Sequence, residues 1–461
     1  TKNQLVLTKM VAVGNSLTAG YQSAGLVQEF QKHSYPYLIA RQIGQADRFE
    51  QPLIAEPGIS STPGVGAMKF ENGNIVPRGT YTNPMALLRN ATLPRPYDNL
   101  GVPGADLNDV LNTVDGSGGN PFFDLILRNP NFANMTQIEQ ANLLKPTLLL
   151  LWIGNNDVLG AALDGGDASR ITDPADFQTR FTELVTRAGE IRPGNIGIVI
   201  GNIPNVTDIP YVNLLDNLIY KNFGPLGTLP VVFDGSFQPV DFDTSASGEL
   251  YIPLIAEESA LNGSPVSHIL LPFLSEYQSS GLGVPDSAAL VQMLVAMGVP
   301  ASIAPFQAQA LEQGMIANGL TPSGQLIPGD LTITAAEESD LVQAVNAYNQ
   351  IISGITAGAG IPMVDINSLL SELNTSGIDG YSGRFVFMDP ANTAFSLDGV
   401  HPNNGGQALI ANAFIQVLNQ FPDINIPLVN TEQYKGQYTG MPGLKRLSLQ
   451  AATAVKPLFT R

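Results

Sequence analysis

His401 is one of three histidines in a chain of 461 residues, and the only one with an aspartate, Asp398, three positions before it. In a loop that curls, that spacing lets the carboxylate reach the imidazole, orient the ring and stabilise its cationic form. Composition alone would put some Asp three before some His in about one chain in six, so the pair gains meaning only from its company. Ser16, in Gly14-Asn15-Ser16-Leu17, offers a hydroxyl where a strand signal gives way to a helix start, a position that lifts it above a sheet. Gly101-Val102-Pro103-Gly104 supplies a glycine amide that can approach a ligand closely, and Gly154-Asn155-Asn156-Asp157 sets polar side chains just after an apolar run. Each segment also has an ordinary structural use: a turn, a loop glycine beside a proline, or a helix cap formed by Asn155 or Asn156. His33 and His268 lack such a partner and read as surface or core residues.

The elements that would position these segments are legible as apolar runs. Met10 to Val13, Thr147 to Ile153, Ile196 to Ile200 and Ile361 to Ile366 are continuous rather than alternating, as expected of buried parallel strands, with a weaker fifth at Asn99 to Val102. Helical patterns at Phe177 to Ile191, Leu341 to Ile355 and Gln407 to Leu418 alternate with them, which predicts an α/β layered sheet. Thr334 followed by Glu337 is a capping box opening the second of these helices. A hairpin is expected around Asn72-Gly73 within Lys69 to Val76. Ser16, Gly104, Asn156 and the Asp398-His401 pair then each follow the carboxyl end of a different strand or the last crossover, where a single site can form.

Composition removes several classes of function. With no cysteine there is no disulfide, thiolate catalysis or cysteine-zinc site, and three histidines make a multi-histidine metal centre a poor expectation. Forty acidic against 22 basic residues give a net charge of -18, a field that opposes nucleic acid and anionic membranes. Most of that charge sits in residues 206–345, which hold 15 acids and a single base, Lys221. The segment reads as an insertion, its apolar patches (Leu226 to Phe233, Ile269 to Leu274, Ala288 to Met297) suggesting a mainly helical cap with its own packing. The tail from Thr431 to Arg461 is basic, with five bases against Glu432. The longest apolar run near a strand signal, Leu148 to Ile153, is far too short for the ~18 to 20 residues of a membrane span, so no transmembrane segment is expected.

Taken in order, the four segments resemble the SGNH hydrolases, also called GDSL-type lipases and esterases. Gly14-Asn15-Ser16-Leu17 is similar to the first block of that family, Gly104 to the second, Gly154-x-Asn156-Asp157 to the third and Asp398-x-x-His401 to the fifth. Asn202-Ile203-Pro204 and Val364-Asp365-Ile366 add similarity at the ends of two strands, and the likeness covers about residues 1–205 and 346–420. One departure is Asn15, where the family usually carries Asp. The resemblance implies a three-layer α/β/α flavodoxin-like sheet of about five parallel strands; the large, mainly helical cap expected of residues 206–345 lies outside the likeness. It implies Ser16 as nucleophile, His401 as general base and later acid, and Asp398 as the orienting carboxylate. The oxyanion hole it implies comprises the backbone amides of Ser16 and Gly104 and the side-chain amide of Asn156, supported by Asn15 and Gly154.

On this basis the expected domains are a discontinuous catalytic unit, 1–205 and 346–430, a cap of 206–345 and a basic tail of 431–461. The expected activity is a serine ester hydrolase needing no metal or organic cofactor and taking a small-molecule ester. The apolar runs of the cap would suit an acyl chain, which favours acyl or lipid esters; an apolar run in a cap equally builds the cap's own core. The alternatives are a carbohydrate O-acetylesterase, disfavoured by a lone tryptophan, Trp152, inside a strand run, and a non-catalytic binding protein. The opening TKNQLVLTKM lacks a signal-peptide hydrophobic stretch, so the expectation is a mature exported chain, periplasmic, secreted or lipid-anchored as large family members often are.

Overall fold

The structure, a computed structural model, describes residues 6–72, 74–129, 131–215, 232–240, 254–317 and 319–438. Five strands form the central sheet: β1 (Met10–Gly14), β2 (Asn99–Gly101), β3 (Leu148–Trp152), β4 (Gly197–Gly201) and β5 (Met363–Val364). Every pairing is parallel and the order is β5-β4-β3-β1-β2, the doubly wound order in which ligands meet the sheet at the β1/β3 switch point. The expected strands are all present within a residue or two of their predicted ends, except that the last is shortened to two residues.

Continuous apolar runs work here because both faces are covered. Val11, Val13, Leu149, Leu151 and Ile200 point to one core, and Met10, Ala12, Leu148, Leu150, Trp152 and Val199 to the other. The helices that position the site are α1 (Ser16–Ala19), α2 (Tyr35–Gln42), α3 (Asn156–Leu163), α4 (Pro174–Glu190), α5 (Ala335–Ala359), α6 (Ile366–Thr375) and α7 (Asn404–Leu418). Helices α3, α4 and α5 cover the first face, with Phe177 stacked on Tyr348 at 4.1 Å between ring centres, while α2 and α7 cover the second through Leu38, Ile39, Phe414 and Ile415. The α/β/α sandwich follows from side chains alternating between two faces of one sheet.

Local signals act where they were expected. Thr334 accepts from the Glu337 amide while Glu337 returns a bond to the Thr334 amide, and α5 then runs for 25 residues with Leu341, Val345, Tyr348 and Ile352 buried. Met68–Glu71 and Asn74–Pro77 pair as the expected hairpin, Glu71 opposite Asn74; Gly73 itself lies outside the described residues.

The acidic segment forms a second packed body. Its described part holds the helices Phe273–Ser280, Ser287–Ala296 and Ala304–Ala317 around a cluster that includes Phe233, Ile269, Phe273, Leu290, Met293, Leu311 and Ile327. The described parts of the runs expected to meet an acyl chain are largely buried, Ile269, Phe273, Leu290, Met293 and Leu294 in this core, Leu270 in the core of the sheet, and Leu271 and Leu274 in a further cluster with Phe385 and Phe387. Leu226 to Val231 and Lys221 lie outside the described residues, as does the basic tail from residue 439 on. Residue 345, the expected end of the insertion, falls inside α5, whose Leu341 and Val345 belong to the core beneath the sheet. Among the described residues no helix is long and apolar enough to cross a membrane.

Candidate active site

Ser16 is the first residue of α1, immediately beyond β1, and only 6% of it is exposed. Asn15 caps this short helix by accepting from the Leu17 amide at 3.1 Å, and its own side-chain amide donates to the Asn155 oxygen at 3.2 Å. The residue that departs from the family pattern therefore ties the ends of β1 and β3 together across the switch point.

The loop before α7 curls as the Asp-x-x-His spacing requires. Asp398 Oδ1 accepts from the amides of Val400 (2.9 Å) and His401 (2.8 Å) and from the Ser396 hydroxyl (3.1 Å). Its Oδ2 lies 3.0 Å from His401 Nδ1 and accepts from the Ala24 amide at 2.8 Å. On the far side of the ring, His401 Nε2 is 3.0 Å from Ser16 Oγ. Burial of Asp398 opposes its ionisation, but the adjacent His401 and the amides around it outweigh burial and bring its carboxyl down to about 2. The carboxylate is thus charged at neutral pH and faces Nδ1, while Nε2 faces the serine hydroxyl, the geometry in which an imidazole can act as a base toward a hydroxyl.

Two supports of this arrangement have no signature in the sequence. Ser23 and Ala24 both adopt left-handed backbone (φ 49° and 58°), which turns the Ala24 amide toward Asp398 and the Ser23 amide toward the Ser396 hydroxyl at 2.9 Å. Tyr21 lies with its ring 4.7 Å from the His401 ring, and its hydroxyl is 3.0 Å from that of Ser61. Burial raises the Tyr21 phenol well above its ordinary range, so it stays neutral beside the imidazole.

The donor side is assembled from two loops. Asn156 opens α3 and gives one side-chain N–H to the Ala105 carbonyl at 2.7 Å, which leaves its second N–H for another acceptor. Gly104 sits at φ +83°, where a side chain would meet the Asn120 amide nitrogen at 2.8 Å. Among the described residues, neither the Gly104 nor the Ser16 main-chain amide donates to another protein group. Gly154 takes φ +107°, and a Cβ there would press on Ile203 and Phe177 at 2.9 and 3.0 Å. It permits the turn that delivers Asn155 and Asn156. Next to them, burial and the charge of Asp106 push the Asp157 carboxyl up to about 7, and Asp157 accepts from the Leu107 amide at 2.9 Å.

Ser16, Asp398, His401, Gly104 and Asn156 all line one open groove of about 1260 Å³. Asn15 and Gly154 stand behind it, Asn15 through its side-chain bonds and Gly154 through its backbone turn. His33, half-buried and bonded to the Glu29 carbonyl, and His268, 3.3 Å from Glu338, take no part in the cluster. What such an arrangement can do is transfer an acyl group: a hydroxyl with a base, a base with an orienting carboxylate, and unengaged donors nearby.

A sequence-family model described as GDSL-like Lipase/Acylhydrolase matches residues 10–255. Ser16, Gly104 and Asn156 fall inside that range; Asp398 and His401 lie beyond it and reach Ser16 through the fold. No curated protein matches. Among solved structures, the Clostridium thermocellum family 3 carbohydrate esterase is similar at 13% identity and a TM-score of 0.31, over 89% of this chain and 95% of that one.

Proposed function

Because the chain belongs to the GDSL-like lipase/acylhydrolase family, the SGNH hydrolases, and is an ester hydrolase, we propose that it cleaves carboxylic esters through an acyl-enzyme on Ser16. The observation that carries this reading is the continuous chain of 3.0 Å contacts from Ser16 Oγ to His401 Nε2 and from His401 Nδ1 to Asp398 Oδ2.

In the first half-reaction His401 Nε2 takes the Ser16 proton as Oγ bonds to the ester carbonyl carbon. The carbonyl oxygen becomes an oxyanion held by the Ser16 and Gly104 amides and the second N–H of Asn156; one such donor is typically worth a factor of about 100 to 1,000. When the tetrahedral adduct collapses, the bond to the alcohol oxygen breaks and His401 returns the proton to that oxygen. Water then enters beside Nε2, gives its proton to the imidazole and attacks the acyl carbon. A second collapse releases the acid and restores the Ser16 hydroxyl. Asp398 keeps Nδ1 protonated throughout and offsets the charge of the imidazolium.

The catalytic unit in this reading is the chain before residue 206 together with the part from α5 onward, since α5 joins the core on the first face of the sheet through Leu341, Val345, Tyr348 and Ile352. The acidic body between them roofs the groove through Pro272, Glu276, Leu282, Pro328 and Leu331. Long acyl or lipid esters were favoured by the apolar runs of that body; with those runs packed inward, the acyl-binding surface has to be sought beside Ser16. The test of the reaction itself is Ser16→Ala: hydrolysis of p-nitrophenyl acetate should fall to background with the unfolding midpoint nearly unchanged, and retained turnover would overturn the mechanism.

A further inference from the structure

Two spaces of different character meet at the Ser16–His401 pair. One is the open groove, whose polar lining includes Ser61, Thr62, Asn120 and Tyr211. The other is a narrow pocket of about 80 Å³ that also touches Ser16 and His401, walled by Val206, Ile209, Leu369, Leu370, Leu373 and Phe395. We infer that the pocket receives the acyl group and the groove the alcohol, so that the substrate class is a short-chain acyl ester of a larger, uncharged alcohol. This rests on the acyl-enzyme reading above.

The orientation follows from the order of events. After acylation the alcohol must leave and water must take its place beside His401 Nε2. A wide groove with hydroxyl and amide groups brings water to that position, whereas an apolar pocket does not. The acyl group stays on Ser16 through both half-reactions, and beyond its carbonyl it needs nothing but apolar contact. Length follows from volume: an apolar cavity of about 150 Å³ accommodates benzene, so about 80 Å³ has room for roughly three carbons, acetyl to butyryl.

The wall is braced against widening. Helix α6, which carries Leu369, Leu370 and Leu373, begins at Asp365, which caps it at the Ser368 amide (3.0 Å) and accepts from Asn202 at 2.8 Å. Asn202 in turn accepts from the Asn367 amide at 2.9 Å, so the end of β4 and the first turn of α6 are locked together. The charge of the groove sets the second preference. Apart from the Asp398-His401 pair, its charged lining residues are Glu276 and Asp330, with no Lys or Arg among the described residues. An alcohol bearing a carboxylate or phosphate is repelled there.

The experiment measures kcat/KM for p-nitrophenyl acetate, butyrate, octanoate and palmitate, and for phenyl acetate against 4-acetoxybenzoate. The expected profile is highest at acetyl to butyryl and at least about tenfold lower at octanoyl, with phenyl acetate preferred over its anionic analogue by a similar factor. Leu373→Ala should raise the octanoyl-to-butyryl ratio about tenfold. Leu369→Trp, at a half-buried position that tolerates change better, should retain acetyl and lose butyryl. Rates rising toward octanoyl in the unaltered enzyme, or a profile that neither variant moves, would overturn the pocket assignment; equal rates for the two phenyl esters would overturn the alcohol preference. Absence of turnover with every ester would instead count against the acyl-enzyme reading.

Discussion

The Asn156 side chain donates to the Ala105 carbonyl at 2.7 Å and so fastens the end of β3 to the loop that holds Gly104. A second strut runs parallel to it, from Asp157 to the Leu107 amide at 2.9 Å. Two of the three proposed oxyanion donors are thereby fixed relative to each other before any substrate arrives, which is the condition under which such donors stabilise developing charge without reorganising.

Asn156→Ala removes one donor and the strut that sets the position of another. The expected loss in kcat is about 100- to 1,000-fold with KM changed only a few-fold, because the bond to the oxyanion strengthens in the transition state. Steady-state kinetics on p-nitrophenyl acetate decide it; a loss confined to KM would mean that Asn156 serves ground-state binding alone.

Asn15 offers a direct test of the departure from the family pattern. Asp at this position keeps the bond from the Leu17 amide and can accept from Asn155 once that amide is turned over, since the buried Asn155 nitrogen has no partner of its own among the described residues. Asn15→Asp should therefore retain activity within about threefold. Asn15→Ala loses both the cap and the tie and should cost about 1 to 2 kcal/mol of stability. Equal thermal midpoints for the Ala variant and the parent would refute the role assigned to the side chain.

How far these relationships could be read from the residues varies with their range. The runs at Met10 and Leu148 announce themselves because a strand buried on both faces has no polar side, and the Thr334-Glu337 box and the Asn72-Gly73 turn are local chemistry. Asp398 and His401 are three residues apart, so their bond was also legible. The left-handed pair Ser23-Ala24 was not, since neither residue favours that conformation and only the fit to Asp398 and Ser396, some 370 positions away, holds it. Tyr21 against His401 and the pocket walls from α6 and the β4 loop are likewise products of packing between distant segments. The apolar runs of the insertion leave two uses open for a related reason: apolarity marks burial without saying what is buried against what.

Beside its part in the strut to Leu107, Asp157 predicts a pH dependence of stability. Burial, and next the charge of Asp106, raise its carboxyl to about 7, above the ordinary value near 4. Below about pH 4 it is protonated folded and unfolded, and its contribution is fully present. As pH rises toward 7 the unfolded chain ionises while the folded one holds its proton, so stability falls across that window, by at most about 4 kcal/mol. Asp157→Asn, which can still accept from Leu107, should flatten the decline between pH 4 and 7. Chemical denaturation at several pH values would show this; an identical slope in parent and variant would reject it.

Asp398 works in the opposite direction and links stability to the reaction. Its folded carboxyl titrates near 2 against an ordinary value near 4, so its contribution is present above pH 4 and is lost as pH falls from 4 to 2, a matter of about 2 kcal/mol. In Asp398→Asn the retained oxygen can still accept from the Val400 and His401 amides and the Ser396 hydroxyl. The new NH2 group, however, faces the Ala24 amide and His401 Nδ1, where two donors were previously accepted. The imidazole is then driven to the tautomer with its proton on Nε2, which cannot take the proton of Ser16. Activity at pH 7 should drop about 10,000-fold while the fold survives, with partial recovery as pH rises and Ser16 ionises unaided. A variant whose kcat/KM at pH 7 stays within tenfold of the parent would show that Asp398 only shapes the loop.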